Sequence, residues 1–327
     1  MRELLADGFS VRATVRSTRD AEKVSHLLEL GSEFPGKLQL FEADLLKPGS
    51  FDESMAGCQV VMHTASPFFV DGIKDAQKQL VDPALAGTRT VLESANRTAS
   101  VERVIVTSSV AAVMGDGDDA AELSDRRFNE SHWNTSSSLK RQPYPYSKVL
   151  AEEEAWKICA AQDRWDLLTI NPSFVLGPSL SKRMDGTSVN FMKSMGGGEF
   201  RFGVPELYIG VVDVRDIAKA HVLAATNAQA SGRHICSAQV LSILQMGQRL
   251  RERLGDRFPF PKGELPKALM YLVAPFLGFT WDYVRRNVGV PYDLDRSYSE
   301  SDLGLSYRDP TDTLSDHIEQ LAEFGVF

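Results

Sequence analysis

Ser109, Tyr144 and Lys148 are the residues whose types and spacing suggest chemistry. A tyrosine with an ordinary pKa near 10 is a poor proton donor and a poor base until a neighbouring cation lowers that value. Lys148 follows Tyr144 by four positions, so on a helix the two side chains share a face. A serine at the end of a neighbouring strand can hydrogen-bond a carbonyl oxygen and hold it near the phenol. Such a trio suits proton delivery to an oxygen that becomes an alkoxide as hydride reaches its carbon. By itself the Tyr-x-x-x-Lys spacing is weak, and its bland alternative is a surface contact one helical turn apart. Context strengthens it: Tyr144-Pro145-Tyr146-Ser147-Lys148 opens a helix-like segment, and Ser109 ends an apolar strand. Tyr146 is the rival phenol, but its fourth neighbour is Leu150, which points to packing or pocket lining.

These residues need a scaffold, and the hydrophobic pattern supplies one. Strand-like runs occur at Val11 to Val15, Leu38 to Ala43, Gln59 to Thr64, Arg103 to Ser108, Leu167 to Ile170 and Leu207 to Val212. Most are apolar throughout, which predicts burial on both faces. Helix-like segments alternate with them: Arg19 to Leu30, Asp75 to Asn96, Ser147 to Ala161 and Asp213 to Thr226. The alternation predicts an α/β fold with a doubly wound, mostly parallel sheet of the Rossmann type. Residues 1–178 form the dinucleotide-binding half, with 207–237 returning to it, and 179–327 form mostly a smaller C-terminal substrate lobe. In that lobe Gln239 to Leu254 and Thr311 to Glu323 read as helices. The polar run Gly115 to Ser138 reads as a surface connection.

Ligands of doubly wound sheets bind beyond the carboxyl ends of the strands. The residues there are Arg16, Asp44, Thr64 to Pro67, Ser108 to Val113 and Pro172 to Gly177. Where such a sheet meets an adenosine ribose, an acidic residue favours NAD and a basic one accommodates the 2′-phosphate of NADP. The second strand of the expected order ends in Arg16, with Lys23 one loop later, so NADP is the expected cofactor. The alternative is two solvated charges at a helix start. Asp44 suits either the adenine amino group or a turn. Asp213 and Asp216 suit helix capping and dipole stabilisation. His63 and His221 read as core or helix residues, because no metal-ligand spacing occurs. No Gly-x-Ser-x-Gly hydrolase elbow is present.

The usual opening strand and glycine turn have no counterpart. Met1 to Ala6 read as the end of the helix that should follow them, with Gly8 as its C-terminal glycine. The missing strand belongs centrally, between the runs at Val11 and Gln59, so about 20 residues are expected to precede the recorded start. Gly196-Gly197-Gly198 follows no strand and reads as a flexible loop.

Composition narrows the remaining possibilities. The 327 residues are 43% hydrophobic and 24% charged, which excludes disorder and fibrous repeats. A net charge of −8 without long like-charge blocks argues against nucleic acid. The most apolar stretch, Ala268 to Trp281, is short and broken by Pro275, so no membrane span is expected. Three scattered cysteines suit a reducing cytoplasm.

With those residues in view, the chain resembles the extended short-chain dehydrogenase/reductases, particularly the dihydroflavonol reductase and aldehyde (ketone) reductase group. Val11 to Arg16, Ala43-Asp44-Leu45, Gly49 to Glu53, Thr107-Ser108-Ser109, Tyr144 to Lys148, Asn171-Pro172, Gly177-Pro178 and Arg233 to Ser237 carry the likeness. The resemblance implies Ser109, Tyr144 and Lys148 as the catalytic group and Arg16 with Lys23 as the NADP phosphate site. It further implies Asp44 and Leu45 flanking adenine, and Thr64, Ala65 and Ser66 along the nucleotide path. Pro172, Ser173 and Phe174 would lie beside the nicotinamide, and Lys148 would contact its ribose. The implied activity is NADPH-dependent reduction of an aldehyde or ketone, in a monomer or homodimer acting on a small carbonyl compound. Met114 stands where flavonoid reductases place a polar amide, which favours a smaller or more apolar carbonyl. Phe68, Met114, Phe174 and Tyr208 are the candidate pocket residues. Two rivals share the scaffold: a sugar-nucleotide epimerase or dehydratase that retains NAD, and a non-catalytic dinucleotide-binding redox sensor.

Overall fold

A computed structural model describes residues 1–65 and 73–327; the candidates Ser66 and Phe68 lie outside the described residues. The chain begins with a short helix α1 (Arg2–Ala6), strand β1 (Val11–Val15), α2 (Ala21–Glu33), β2 (Leu38–Glu42), α3 (Asp52–Met55) and β3 (Val60–His63). There follow α4 (Asp82–Arg97), β4 (Arg103–Thr107), β5 (Arg127–Phe128), α5 (Pro143–Ala160), β6 (Asp166–Pro172) and β7 (Phe174–Leu176). The remainder holds α6 (Thr187–Gly197), β8 (Tyr208–Asp213), α7 (Val214–Thr226), β9 (Gly232–Cys236), β10 (Gln239–Ser242) and α8 (Ile243–Leu254). Last come α9 (Lys267–Val273), α10 (Trp281–Asn287), β11 (Asp293–Leu294), α11 (Ser297–Leu303) and α12 (Pro310–Glu323).

Four strands form a parallel sheet in the order β3-β4-β6-β9. Alternation along β4 explains why its centre, Val104 to Val106, is apolar. Val104 and Val106 pack with Val91, Leu92 and Ala95 of α4 and Ala155 and Ile158 of α5. Ile105 faces the other way, into Leu168, Ile170, Ile217, Ala220 and Ala224. Each fully buried aliphatic side chain contributes about 1.5–3 kcal/mol, so the two-faced core holds β4 rigidly under the residues that follow it.

β1 pairs in parallel with β2 in a separate ladder, and no ladder joins β1 to β3 among the described residues. Arg12 of β1 has its guanidinium 4.4 Å from the Phe41 ring centroid, and its buried Nε has no hydrogen-bond partner among the described residues.

Several expectations change. Of the segment 207–237, β9 joins the large sheet, whereas β8 lies between β7 and β10 in a second one. Gln239–Ser242 is a strand rather than the start of a helix. Val211, Val240 and Leu241 register it against β8, and Ser242 with Gln245 forms a capping box that starts α8 at Ile243. The glycine cluster is no flexible loop: Gly196 and Gly197 end α6, and a Cβ at Gly196 would meet Phe327 at 2.7 Å. The run 115–138 is packed, burying Asp116, Ala120, Phe128 and Asn134 and pairing β5 with β11. None of the described helices is long and apolar enough to cross a membrane.

Candidate active site

Ser109 leaves the carboxyl end of β4 in an extended conformation and caps the 3₁₀ turn Val110–Ala112, its hydroxyl accepting from the Ala111 amide at 3.1 Å. α5 supplies the other two residues. Its start is fixed by Pro143 in the first turn and by Gln142, which adopts a left-handed φ of 53° just before it. For a residue other than glycine that backbone is costly and needs outside support. The buried Asp116 carboxylate provides it by accepting from Gln142 Nε2, from Arg141 and, at 2.8 Å, from Asn287 of α10.

In this frame the three predicted residues meet. The Ser109 side chain lies beside the Tyr144 phenol, close enough to influence its proton, and the Lys148 ammonium lies 5.7 Å from the centroid of the Tyr144 ring. Burial pushes the Tyr144 phenol up to about 12, partly opposed by the Ser109 side chain. Burial pulls the buried Lys148 down to about 8, and the charge of Glu152 pushes it back up. The sequence predicts a phenol made acidic by its lysine; here desolvation outweighs that effect, and the phenol holds its proton at neutral pH. Lys148 shares a small recess with His63, Thr88, Thr107 and Ser108. Burial and the Lys148 charge lower His63 to about 4, so it is neutral there at pH 7.

The nucleotide candidates lie at the strand ends. Arg16 is exposed beyond β1 and makes no ion pair among the described residues. Lys23 is already matched, with Nζ 2.6 Å from Asp20. Asp44 is an exposed turn residue whose carboxylate accepts from the Leu46 amide at 2.8 Å. Leu45 packs on Gly87 of α4, where a Cβ would meet it at 3.5 Å. Thr64 and Ala65 are exposed after β3. Pro172 ends β6 and Ser173 follows it, both buried, and the Ser173 hydroxyl has no hydrogen-bond partner among the described residues. Phe174 is half-buried and meets Phe191 edge to face, with ring centroids 5.4 Å apart. An unmatched guanidinium and an unpartnered buried hydroxyl at the carboxyl ends of the strands fit a phosphate-bearing dinucleotide.

Two candidate pocket residues are otherwise engaged. Met114 packs with Val113, Ala120, Phe128, Ile235 and Leu294 and is only 8% exposed. The Tyr208 hydroxyl donates to Glu206 at 2.9 Å. Sequence reasoning also missed a buried group behind the site: Glu152, Asn171, Thr169 and Arg233. The available signal was spacing, because Glu152 stands one turn after Lys148 and extends the face of Tyr144 and Lys148.

Residues 1–236 match the model of the family described as NAD dependent epimerase/dehydratase. The chain belongs to that family. Among curated relatives it is similar to Cinnamoyl-CoA reductase CAD2 of Medicago truncatula, 39% identical over 270 residues, which are 82% of this chain and 78% of that protein. It is also similar to tetraketide alpha-pyrone reductase 1 of Arabidopsis thaliana, 32% identical over 99% of this chain and 91% of that one. Among solved structures, Gre2 of Candida albicans in complex with NADPH superposes with a TM-score of 0.80 at 28% identity, covering 98% of this chain and 94% of that one. Yeast methylglyoxal/isovaleraldehyde reductase Gre2 complexed with NADPH gives 0.79 at 28% identity, covering 99% and 95%. These neighbours bear out the Rossmann-type fold and the reductase resemblance read from the residues.

Proposed function

We propose that this family member uses NADPH to reduce an aldehyde or ketone to an alcohol. The observation that carries this reading is the meeting of Ser109 and Tyr144 with the Lys148 ammonium at the phenol ring. Curated relatives named as reductases and neighbours that hold NADPH support it.

Tyr144 keeps its proton at neutral pH and gives it to the carbonyl oxygen as charge develops there. Ser109 hydrogen-bonds the same oxygen and holds it beside the phenol. The buried Lys148 cation stabilises the phenolate that remains. Arg16 would hold the 2′-phosphate, with Lys23, already paired to Asp20, in a minor part; Asp44 and Leu45 would flank the adenine, and Thr64, Ala65 and Ser66 would follow the nucleotide. Pro172, Ser173 and Phe174 would lie beside the nicotinamide, with Lys148 at its ribose. When bound, the nicotinamide supplies the hydride.

The substrate is a small or apolar carbonyl compound, because Met114 offers no hydrogen bond to a flavonoid hydroxyl and is spent on packing. Phe174, Tyr208 and Phe68 are the remaining pocket candidates. We place the protein in the cytoplasm as a monomer or homodimer; its three cysteines are free. The test is NADPH consumption against a panel of aldehydes and ketones, with NADH in parallel. Turnover that prefers NADPH is expected. Turnover of a sugar nucleotide without net NADPH loss, or no turnover of any carbonyl, overturns the reading.

A further inference from the structure

The Glu152 side chain is fully enclosed on α5, one turn beyond Lys148, and this carboxyl group bonds to β6, to β9 and to the residue that follows β4. Its Oε1 accepts from Arg233 Nε of β9 at 2.6 Å, and from Thr169 of β6 and Trp156 at 3.4 Å. Its Oε2 accepts from the Ser108 hydroxyl beyond β4 and from Asn171 Nδ2 of β6 at 2.7 Å. Asn171 Nδ2 also reaches the Ser109 carbonyl at 3.2 Å, so one amide touches both the carboxylate and the candidate catalytic serine. Arg233 continues outward to the carbonyls of Glu130 at 2.7 Å and His132 at 2.6 Å, and its guanidinium lies 3.9 Å from the Trp133 ring centroid. Its other nitrogen donates to Ala112 at 3.4 Å, in the turn that Ser109 caps.

We propose that the Glu152–Arg233 pair is the positioning device of this site. It locks the Ser109 turn against the helix of Tyr144 and Lys148, and it holds a fixed negative charge one turn from the lysine. The proposal rests on the reading of Tyr144 and Lys148 as the acid–base pair. Stability alone does not require such a pair, because well-packed apolar residues often replace a buried ion pair without loss. An apolar replacement could neither receive the Ser108 and Asn171 protons nor place a charge near Lys148. The following groups face Lys148 among the described residues. β3 brings His63, neutral at pH 7. β4 and its end bring Thr107 and Ser108, and α4 brings Thr88. α5 itself brings Tyr144 and Glu152, and β9 brings Arg233, bound to Glu152. Among the described residues, Glu152 is the acidic group whose charge favours the lysine cation.

The experiment uses the full chain carrying Glu152→Gln, which keeps the shape and removes the charge, and Asn171→Ala, which cuts the tie to Ser109 without changing charge. The Lys148 titration is followed by NMR of carbon-13-labelled lysine, with Lys148→Met identifying the signal. kcat and KM for a carbonyl substrate with NADPH are measured across the same pH range. In Glu152→Gln the Lys148 midpoint and the alkaline limb of kcat move down together by about one pH unit. Its kcat falls about tenfold or more, while KM stays within about twofold. In Asn171→Ala kcat falls without movement of the limb. An unchanged Lys148 midpoint in folded Glu152→Gln overturns the proposal. If that variant does not fold, unchanged kcat in Asn171→Ala overturns it and a lowered kcat with a fixed limb supports it. Full turnover in Tyr144→Phe, with the Lys148 midpoint still shifted by Glu152→Gln, fails the acid–base reading and not the electrostatic link.

Discussion

Arg16 stands exposed just beyond β1, Lys23 in the first turn of α2 and Asp44 just beyond β2, whereas Lys148 and Glu152 are buried, Glu152 being tied to β6, to β9 and to the residue after β4. The contrast follows from what each wall has to do. A phosphate is strongly charged wherever it binds, so a solvated guanidinium reaching toward it gives recognition without burial. Acid–base groups work through protonation states, and those are set by desolvation and by fixed neighbours. One wall therefore tolerates mobility, and the other requires a scaffold over-determined by hydrogen bonds.

The largest effect that separates the walls is expected at Lys148. Lys148→Met should lower kcat by about 10²–10³-fold while leaving the thermal midpoint unchanged or higher, because the buried cation gives up solvation for function. A parallel loss of stability would mean that the lysine is mainly structural. Its pH dependence has a definite sign. The folded lysine titrates at about 8 against 10.5 unfolded, so its catalytic charge is lost as pH rises through about 8. Over the window from about 8 to 10.5 the unfolded chain binds more protons, so this group makes folding more favourable as pH rises.

A second effect belongs to the buried wall. His63 is lowered from 6.5 to about 4, so the unfolded chain takes up its proton first as pH falls. Stability from this group is complete above about 6.5 and is lost toward pH 4, at most about 3 kcal/mol. Urea midpoints should decline across that window, and less steeply in His63→Leu; parallel slopes would contradict the assignment.

The exposed wall should answer in specificity rather than in stability. Arg16→Ala is expected to reduce the preference for NADPH over NADH by about 10- to 100-fold in kcat/KM, with an unchanged melting temperature. Lys23→Ala should change it by no more than about threefold, because that ammonium is exposed and already matched by Asp20. Equal effects at the two positions would show that both reach the phosphate.

The same division explains what was legible in the sequence. β4 announced itself through the apolar run Val104 to Val106, and the Tyr144–Lys148 pair through helical spacing, because both signals are local. Gln239–Ser242 misread as helix because its strand character comes from pairing with β8, far off in the chain. Asp116 looked like part of a polar surface loop, and only the fold brings Gln142 and Asn287 to it. Glu152 was visible by spacing, but its partner Arg233 lies 81 positions away. The phenol's high pKa was not legible at all, since burial is a property of the assembled cleft.

The most direct measurement is carbonyl-dependent NADPH oxidation by Tyr144→Phe, with circular dichroism and NADPH binding measured on the same sample. The account predicts turnover reduced by about 10²–10⁴-fold with fold and cofactor affinity retained. Turnover within a few-fold of the wild-type chain would contradict it.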